Sequence, residues 1–477
     1  MARRLLPLLL AAALFCAWTA NAFAFTKTDL VLPMSDGVQL GITLYTLDGT
    51  PPSGGWPAVM LLHGLGKSRV LLEATKWSVN VVAENYLANQ GYEVLTYDAR
   101  AHGTSGGFFD LDGPPEVQDV RTLFDWLAAR AEVNKAKIGG SALSYGGGAL
   151  WLAAAGGVPF AALELAATWT DLAQAVFPGG LVKTGMVAGF LNSVPESRWD
   201  QSLFPLRDDL LHDRNLTGLH SFMAQRSVLP TLDRINAPVF LLQGRRDFAF
   251  DIAQATAAYQ RLRGPKRLYI GDLGHAPAAD PEPEIPHYLT EGRMWFDRWL
   301  KGAPNGIDKQ PPVELAPDPW TGKTVSYAGL PPTRNLAFAT TGSQTVGTDG
   351  KVVRNLGTTR QLVETFGSAI VRVSVKPSNG WGHVVAVLSA KPRRGGEIVV
   401  SDGGAAVSHA GTLTIRLLAD ATAIPAGSQL RLTLASSSTA QSGANLLYLD
   451  IPQPPSAKLA VGRATVTIPV LLKPISK

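Results

Sequence analysis

Four serines stand in a small-x-Ser-x-small pattern, which can form the sharp strand-to-helix turn that exposes a nucleophilic hydroxyl. At Ser144 the pattern follows the apolar segment 137–143 and precedes the small-residue segment Tyr145–Ala155. This context predicts a strand, a tight turn and a helix. The other three serines have no helical pattern after them: Ser105, Ser408 and Ser442. Ser144 is therefore the predicted nucleophile.

A serine hydroxyl reacts efficiently only when a base takes its proton, so a histidine is required nearby. His275 follows the last predicted strand, residues 267–270, and precedes the final predicted helix. Two alternatives have simpler explanations, since His63 precedes a glycine and shapes a turn, and His102 lies within a loop. The order Ser, Asp, His along the chain, with each residue after a strand, favours His275 as the base.

The base in turn needs a carboxylate that fixes its tautomer and stabilises the imidazolium. Asp247 follows the predicted strand 238–242, one strand–helix unit before His275. Three other aspartates are alternatives: Asp171, Asp251 and Asp272. Asp251 is better placed to cap the helix that begins after it. Asp171 follows an earlier strand, and Asp272 is too near His275 in the sequence. Asp247 is therefore the predicted acid.

The tetrahedral intermediate of acyl transfer carries an oxyanion that requires fixed N–H donors. One predicted donor is the backbone N–H of Tyr145, the residue after the nucleophile. The other is the backbone N–H of Leu65, in the loop His63-Gly64-Leu65-Gly66 after an early strand. An ordinary glycine turn is the alternative explanation of this loop.

Short apolar segments alternate with helical segments between residues 25 and 303. The predicted strands are 57–62, 92–97, 137–143, 161–165, 238–242 and 267–270. The predicted helices are 71–90, 115–131, 145–155, 252–262 and 285–300. This alternation predicts a mainly parallel sheet covered by helices on both faces, an α/β domain that presents all the predicted site residues at strand ends.

Two further regions interrupt or follow this pattern. Residues 172–235 break the alternation with helical pieces, which predicts a helical lid or extra helices at the sheet edge. Residues 304–320 are rich in Pro, Asp and Gly and are predicted to be a linker. From 321 to 477 the apolar period becomes two, as in Val371, Val373 and Val375, which predicts an all-β sandwich or jelly roll.

The first 24 residues have the features of a secretory signal peptide. Arg3 and Arg4 precede an apolar stretch of residues 5–18, and small residues precede cleavage after Ala22 or Ala24. A membrane anchor is the alternative, but spanning a bilayer takes about 20 apolar residues. We therefore predict export to the periplasm or outside the cell, with no stable membrane insertion after cleavage. The single cysteine, Cys16, lies in this segment, so the mature chain would have no disulfide.

Composition narrows the class of protein further. A length of 477 residues predicts two or three domains. The net charge is +5, from 43 Lys and Arg against 38 Asp and Glu, and the basic residues are dispersed, so nucleic acid is not an expected partner. One cysteine excludes a thiolate zinc or iron–sulfur site, and no metal or organic cofactor is expected. The sequence leaves the oligomeric state open.

These motifs together resemble the Xaa-Pro dipeptidyl-peptidase and cocaine-esterase-like family of α/β-hydrolases. The resemblance rests on six segments of the hydrolase part and one of the β part: 35–40, 98–107, 137–148, 243–247, 274–275, 295–302 and 424–432. It implies an α/β-hydrolase fold with a C-terminal jelly roll. It also implies Ser144, Asp247 and His275 as the catalytic triad. Arg245 and Arg246 stand where relatives often carry aromatic residues, and we interpret them as surface charges.

The sequence thus predicts an exported serine hydrolase that cleaves a carboxylic ester or amide through an acyl-enzyme. Its expected partner is a small ester, amide or peptide substrate. An Xaa-Pro dipeptidyl-peptidase is the alternative within the same class of enzyme. From a different class, the alternative is a non-catalytic envelope or glycan-binding protein whose β domain is the binding module.

Overall fold

A computed structural model describes residues 22–70, 79–212 and 214–477. Its largest sheet has ten strands in the order β1-β2-β4-β3-β5-β6-β7-β8-β9-β10. The strands are β1 (Phe25–Pro33), β2 (Gln39–Leu47), β3 (Trp56–Leu62), β4 (Glu93–Tyr97), β5 (Val133–Leu143), β6 (Ala162–Ala166), β7 (Val239–Gly244), β8 (Lys266–Gly271), β9 (Val313–Leu315) and β10 (Val325–Tyr327). From β4 to β9 all neighbours are parallel. The six predicted strands are confirmed as β3 to β8.

Helices cover both faces of this sheet. They are α1 (Val79–Val81), α2 (Pro114–Ala128), α3 (Tyr145–Ala155), α4 (Leu172–Val176), α5 (Thr184–Leu191), α6 (Leu203–Leu211), α7 (Leu216–Ala224), α8 (Ile252–Arg261) and α9 (Ile285–Leu300). Helices α2, α3 and α8 bury their apolar sides in one core, and α9 buries its own in a second core on the opposite face. Because the sheet is covered on both sides, every residue of β4 and β7 is buried, as is every residue of β3 after Trp56.

The predicted helix 71–90 lies partly outside the described residues. Its described part consists of α1, a π-helical turn at Val82–Leu87 and a 3-10 turn at Ala88–Gln90. Gly91 follows with φ +87°, the left-handed conformation that a glycine adopts most easily at the end of a helix. The other four predicted helices are confirmed as α2, α3, α8 and α9, within a few residues at their ends.

The described residues of the region 172–235 form helices α4 to α7 and three 3-10 turns. These helices enclose an apolar core that includes Trp169, Phe177, Trp199 and Leu219. The same core contains Tyr145, the residue after the predicted nucleophile. The insertion therefore packs over the carboxyl ends of the parallel strands, where the predicted site lies.

The C-terminal part consists of antiparallel sheets. Strands β11 (Thr333–Thr340), β12 (Gln344–Val346), β15 (Gly367–Ser378), β18 (Gly411–Asp420) and β21 (Lys458–Leu471) form one sheet. Strands β13 (Val352–Thr358), β16 (His383–Lys391), β17 (Ile398–Ala406) and β20 (Gln429–Ala435) form the second, and the short strands β14 (Val363–Glu364) and β19 (Ala423–Ile424) pair separately. Val371, Val373 and Val375 face the shared core, as their alternation predicts.

The ten-stranded sheet extends past the predicted linker 304–320. Strand β9 lies inside that segment and pairs with β8, and β10 pairs with β9 although it belongs to the predicted β domain. The Pro-rich composition hid this strand because only three residues, Val313–Leu315, form it, and all three are buried.

The predicted signal segment 1–24 lies outside the described residues except for 22–24. Among the helices that the structure describes, none is long and apolar enough to cross a bilayer.

Candidate active site

Ser144 lies in a strained turn between β5 and α3. Its backbone has φ +54° and ψ −116°, outside the regions that residues other than glycine commonly occupy. The turn is held from both sides, because the Ser144 N–H donates to the Ala166 carbonyl at 2.8 Å and the Thr168 hydroxyl donates to the Ser144 carbonyl at 2.8 Å. Strain of this kind persists only where the surroundings impose it, and it is common at functional sites.

The small residues after Ser144 allow α3 to approach the sheet closely. A Cβ atom at Gly146 would lie 2.6 Å from the Leu62 Cβ, and one at Gly147 would lie 2.5 Å from the Thr168 hydroxyl. Both distances are shorter than any real contact between such atoms. The glycines that marked this segment in the sequence are therefore required by close packing.

The three residues predicted to act together lie in hydrogen-bond contact. Ser144 Oγ is 2.8 Å from His275 Nε2, and His275 Nδ1 is 2.8 Å from Asp247 Oδ2. An ionised carboxylate can only accept, so Nδ1 carries the proton and Nε2 accepts from the serine hydroxyl. The imidazole also contacts two rings edge-on, with centroid distances of 5.0 Å to Phe250 and 5.5 Å to Phe190.

The Asp247 carboxylate is buried and fully engaged. Its Oδ1 accepts from the N–H groups of Ala249 and Phe250 at 2.9 Å each, and its Oδ2 also accepts from the His275 N–H at 3.2 Å. Only 1% of the residue is exposed. Backbone donors therefore fix the orientation that lets Asp247 face the imidazole. The nearby rival Asp251 instead caps α8 by accepting from Ala253, as expected.

A buried lysine holds the loop that carries Asp247. Lys183 Nζ donates to the carbonyls of Phe248 at 2.8 Å and Ala249 at 2.7 Å. Burial lowers the pKa of Lys183 to about 8, against the attraction of Asp251 and Asp247. Sequence reasoning missed this residue. Its only signal is that Lys183 is the single charged residue between 172 and 195.

The loop that contains Leu65 is anchored by two buried histidines. His102 Nε2 accepts from the Gly66 N–H at 3.1 Å, and His63 Nδ1 donates to the Gly64 carbonyl at 2.8 Å. Burial is the main cause of the lowered pKa of each histidine, and the pKa of His102 falls to about 4. Both rings are therefore neutral at pH 7 and can accept hydrogen bonds. His63 and His102 were the alternatives to His275 as the base. In the structure they instead hold the predicted oxyanion loop in place.

Tyr145 is the first residue of α3, so its N–H lies among the first-turn donors that have no carbonyl partner within the helix. The positive end of the helix dipole adds to the attraction of this position for an anion. Leu65 and Ser144 line the same two cavities. The structure therefore brings the two predicted donor residues to the same place as the serine.

The other candidate serines serve local structure. Ser105 is buried, and its hydroxyl donates to the Asp98 carbonyl at 2.6 Å. Ser408 lies in the β domain, where its hydroxyl contacts the adjacent His409 at 3.0 Å on the surface. Ser442 accepts from the Ala444 N–H at 3.3 Å. None of these three is in contact with His275.

An apolar cavity of about 90 Å³ opens on Ser144 and Tyr145. Helices α4 to α7 supply most of its lining, including Leu172, Met186 and Leu210. Among the described residues, no Asp or Glu lines this cavity. Its one charged lining residue is Arg207, whose guanidinium pairs with a glutamate on the surface.

One group of side chains has the spacing of metal ligands among the described residues: His287, Glu291 and Glu314. Arg267 already pairs with both of these carboxylates, through Nη2. An internal cation thus occupies the place that a metal would take. None of the three residues lines either cavity that Ser144 lines, and the group fits a buried ion pair better than a metal centre.

The family was identified by comparison with known proteins. A family model described as X-Pro dipeptidyl-peptidase (S15 family) matches residues 36–277, just over half of the chain and the part that carries Ser144, Asp247 and Leu65. The chain belongs to the S15 family. The matched region also includes His275.

Individual S15-family relatives are distant. A Streptomyces avermitilis protein named "Putative Xaa-Pro dipeptidyl-peptidase" is 24% identical over 279 residues, 51% of this chain and 39% of that protein. The cocaine esterase of a Rhodococcus species is 22% identical over 349 residues, 62% of this chain and 59% of that protein. The chain thus spans less than two thirds of the length of either relative.

One solved structure resembles both the α/β part and the β part of this S15-family chain. A CocE/NonD family hydrolase from Staphylococcus aureus superposes with a TM-score of 0.71 at 14% identity, covering 94% of each chain. At this identity the likeness concerns the fold. It confirms the predicted class, an α/β-hydrolase fold followed by a β-sandwich.

The interpretation of the two arginines as surface charges is wrong for Arg245. This residue is 1% exposed, and its guanidinium crosses into the β domain. Nε donates to the Ala421 carbonyl at 2.7 Å, Nη1 to the Ala316 carbonyl at 2.5 Å, and Nη2 pairs with Glu364. An arginine with its partners more than 70 residues away gives no local signal of burial.

Proposed function

We propose that this chain is a serine hydrolase that cleaves a carboxylic ester or amide through an acyl-enzyme. The observation that carries the proposal is the chain of two 2.8 Å hydrogen bonds from Ser144 through His275 to Asp247. It is supported by the strained turn that presents the serine and by membership of the S15 family. Tyr145 and Leu65 are proposed to supply the N–H donors for the oxyanion.

The reaction follows from these positions. Ser144 Oγ attacks the carbonyl carbon while its proton passes to His275 Nε2, and Asp247 stabilises the imidazolium. The carbonyl oxygen becomes negative and is stabilised by the N–H groups of Tyr145 and Leu65. The proton on His275 then moves to the departing oxygen or nitrogen. Water repeats both steps on the acyl-enzyme and releases the acid.

The apolar lining of the cavity beside Ser144 favours a substrate whose acyl group is uncharged, apolar and of moderate size. The insertion 172–235 that lines this cavity is proposed to be a lid over the acyl group. Because no carboxylate of the described residues lines it, a charged amino terminus would lose its hydration there without gaining a partner. These properties favour an esterase or acylase.

The family description supplies a second candidate, an Xaa-Pro dipeptidyl-peptidase. Glu164 and Asp280 line another cavity that touches Ser144 and His275, and carboxylates are the groups that bind a free ammonium. However, burial raises the pKa of Glu164 to about 7, and Asp280 already accepts from the Gly274 N–H at 3.1 Å. We therefore place this activity second.

Fluorophosphonate labelling tests the nucleophile. We expect the wild-type chain to be labelled, Ser144→Ala to lose the label, and ester hydrolysis to fall by at least about 10⁴-fold. Ser408→Ala is the matched control, because it removes another serine that lies beside a histidine. Equal labelling of wild type and Ser144→Ala would show that the assignment is wrong.

Paired substrates test the choice between the two activities. We expect p-nitrophenyl butyrate to be cleaved with a higher kcat/KM than Ala-Pro-p-nitroanilide. A strong preference for the anilide would favour the peptidase.

We also propose that the protein is exported by its first 24 residues and acts in the periplasm or outside the cell. The proposal rests on the charged, apolar and small-residue order of residues 1–24. Amino-terminal sequencing of the protein recovered from outside the cytoplasm should begin at Phe23 or Phe25. Recovery of the uncleaved chain in the cytoplasm would contradict it.

A further inference from the structure

A groove of about 1010 Å³ runs from His275 between α5 and the β domain. One wall contains Met186 and Phe190, and the opposite wall contains β17 and residues between 441 and 447. His275 lines this groove but Ser144 does not, whereas the apolar cavity has Ser144 and lacks His275. The groove therefore reaches the histidine of the pair and the apolar cavity reaches the serine, while a third cavity of about 320 Å³ touches both residues.

If the proposed hydrolase activity is correct, the apolar cavity and the groove can be assigned to the acyl group and the leaving group of a substrate. The acyl carbon bonds to Ser144 Oγ, so the acyl group lies on the serine side. The leaving group takes its proton from His275 Nε2, so it lies on the histidine side. Of the apolar cavity and the groove, the groove is therefore the one assigned to the leaving group.

Arg246 lines this groove, and its N–H donors are not all satisfied within the chain. The Arg246 guanidinium donates from Nη2 to the Val399 carbonyl at 3.1 Å, while its Nε is buried without a partner. Among the described residues, it is in no ion pair. Glu397, which lines the same groove, is not paired with Arg246, since its carboxylate accepts from the Ser389 hydroxyl at 2.7 Å and lies 3.9 Å from Arg431.

Two buried acids are close enough for Arg246 to act on them electrostatically, although neither is within ion-pair distance of it. Burial raises the pKa of Asp420 to about 7, and it also raises the pKa of Asp272. Asp272 accepts from the Ala279 N–H at 3.0 Å, and Asp420 accepts from the hydroxyl of Thr365. Neither acid forms an ion pair with Arg246, so its guanidinium has no direct counter-ion among the described residues.

We propose that this groove binds the leaving group of the substrate and that Arg246 binds a carboxylate on it. The substrate class is an apolar acyl group joined by an ester or amide bond to a hydroxy- or amino-carboxylic acid. Cleavage breaks the bond from the acyl carbon to oxygen or nitrogen and forms the bond to Ser144 Oγ. The serine proton passes through His275 to the leaving group, and the carboxylate stays ionised.

A matched pair of esters tests the proposal. The first is 4-(butanoyloxy)benzoate, whose leaving group carries a carboxylate, and the second is its neutral methyl ester. The measured quantity is the ratio of their kcat/KM values, because differences in intrinsic reactivity cancel when variants are compared. We expect Arg246→Gln to lower this ratio by about tenfold to a hundredfold, mainly through KM, the range for a hydrogen bond to a charged group.

Controls separate this effect from net charge and from misfolding. Arg372→Gln removes an exposed arginine of β15 that does not line the groove, and it should leave the ratio unchanged. Arg246→Lys should retain part of the preference. For the unaltered protein, 4-hydroxybenzoate should inhibit more strongly than methyl 4-hydroxybenzoate, so the proposal is testable even if Arg246→Gln does not fold.

The failures of the two proposals are distinguishable. If Ser144-dependent ester hydrolysis is present but the ratio is the same in wild type and Arg246→Gln, the carboxylate site is wrong and the hydrolase stands. Equal inhibition by the two phenols in the wild type would also overturn the site. If neither wild type nor any variant cleaves an ester or reacts with fluorophosphonate, the hydrolase proposal itself fails.

Discussion

Replacing Arg245 with methionine would remove a cation that is enclosed between the two parts of the chain. Its side chain is 1% exposed and its partner Glu364 is not exposed at all. The second carboxylate oxygen of Glu364 accepts from the N–H groups of Ile475 at 2.8 Å and Ser476 at 3.0 Å. The variant would therefore leave a carboxylate buried without its counter-charge.

The expected cost follows from this geometry. Removing one partner of a buried ion pair costs about 3–5 kcal/mol, whereas typical native stability is about 5–15 kcal/mol. Two further donors would be lost, to the carbonyls of Ala421 and Ala316. We therefore expect Arg245→Met to lower the free energy of unfolding by about 4 kcal/mol. Activity should also fall, because Asp247 lies two residues further along the same loop.

Urea unfolding, followed by fluorescence and circular dichroism, measures this loss. The control is Arg214→Met, which removes an ion pair with Asp208 whose two side chains are more than half exposed, and it should cost less than about 1 kcal/mol. The double variant Arg245→Met/Glu364→Met should be more stable than Arg245→Met alone, since no charge remains buried. If Arg245→Met is no less stable than the control variant, the reasoning is wrong.

Three further predictions concern buried polar groups and close packing. Lys183→Met should lower kcat by about tenfold or more while the chain stays folded, measured with p-nitrophenyl butyrate, because two hydrogen bonds that hold the Asp247 loop are lost. Burial lowers the pKa of His102 to about 4 in the folded chain. Between about pH 6.5 and 4 this histidine is therefore protonated in the unfolded chain and neutral in the folded chain. The free energy of unfolding should fall as the pH drops through that range, by up to about 3 kcal/mol. A His102→Asn variant should have a smaller slope of unfolding free energy against pH, and an equal slope would contradict this. Gly148→Ala should lower the melting temperature, since its Cβ would lie 2.2 Å from two side chains, whereas Gly189→Ala has open space and should not.

The α/β fold and the three hydrogen-bonded residues of the candidate site were predictable because their signals are local. The strand before Ser144 and the helix after it each show their pattern within about ten residues, and the small residues of that helix are needed where it crosses Leu62. His275 and Asp247 could be selected because parallel strands place their carboxyl ends at one edge of the sheet.

The buried cations could not be predicted, because their partners are distant in sequence. Arg245 pairs with Glu364, 119 residues away, and Lys183 donates to carbonyls 65 and 66 residues away. Arginine and lysine are usually exposed, so composition suggests the opposite of what the fold does with these two. The strand at 313–315 was missed for a related reason, since three residues carry too little pattern to stand out in a Pro-rich segment.

The pairing of β9 with β8 determines where this chain can be divided. A fragment that ends at residue 303 would leave β8 as an edge strand, with the buried residues Leu268 and Ile270 and a row of unpaired backbone groups at its margin. Such an edge is a template for pairing with other chains and for aggregation. A fragment of the α/β part that keeps the sheet intact must continue at least to Tyr327, the last residue of β10. Even then, Arg245 would face solvent without Glu364.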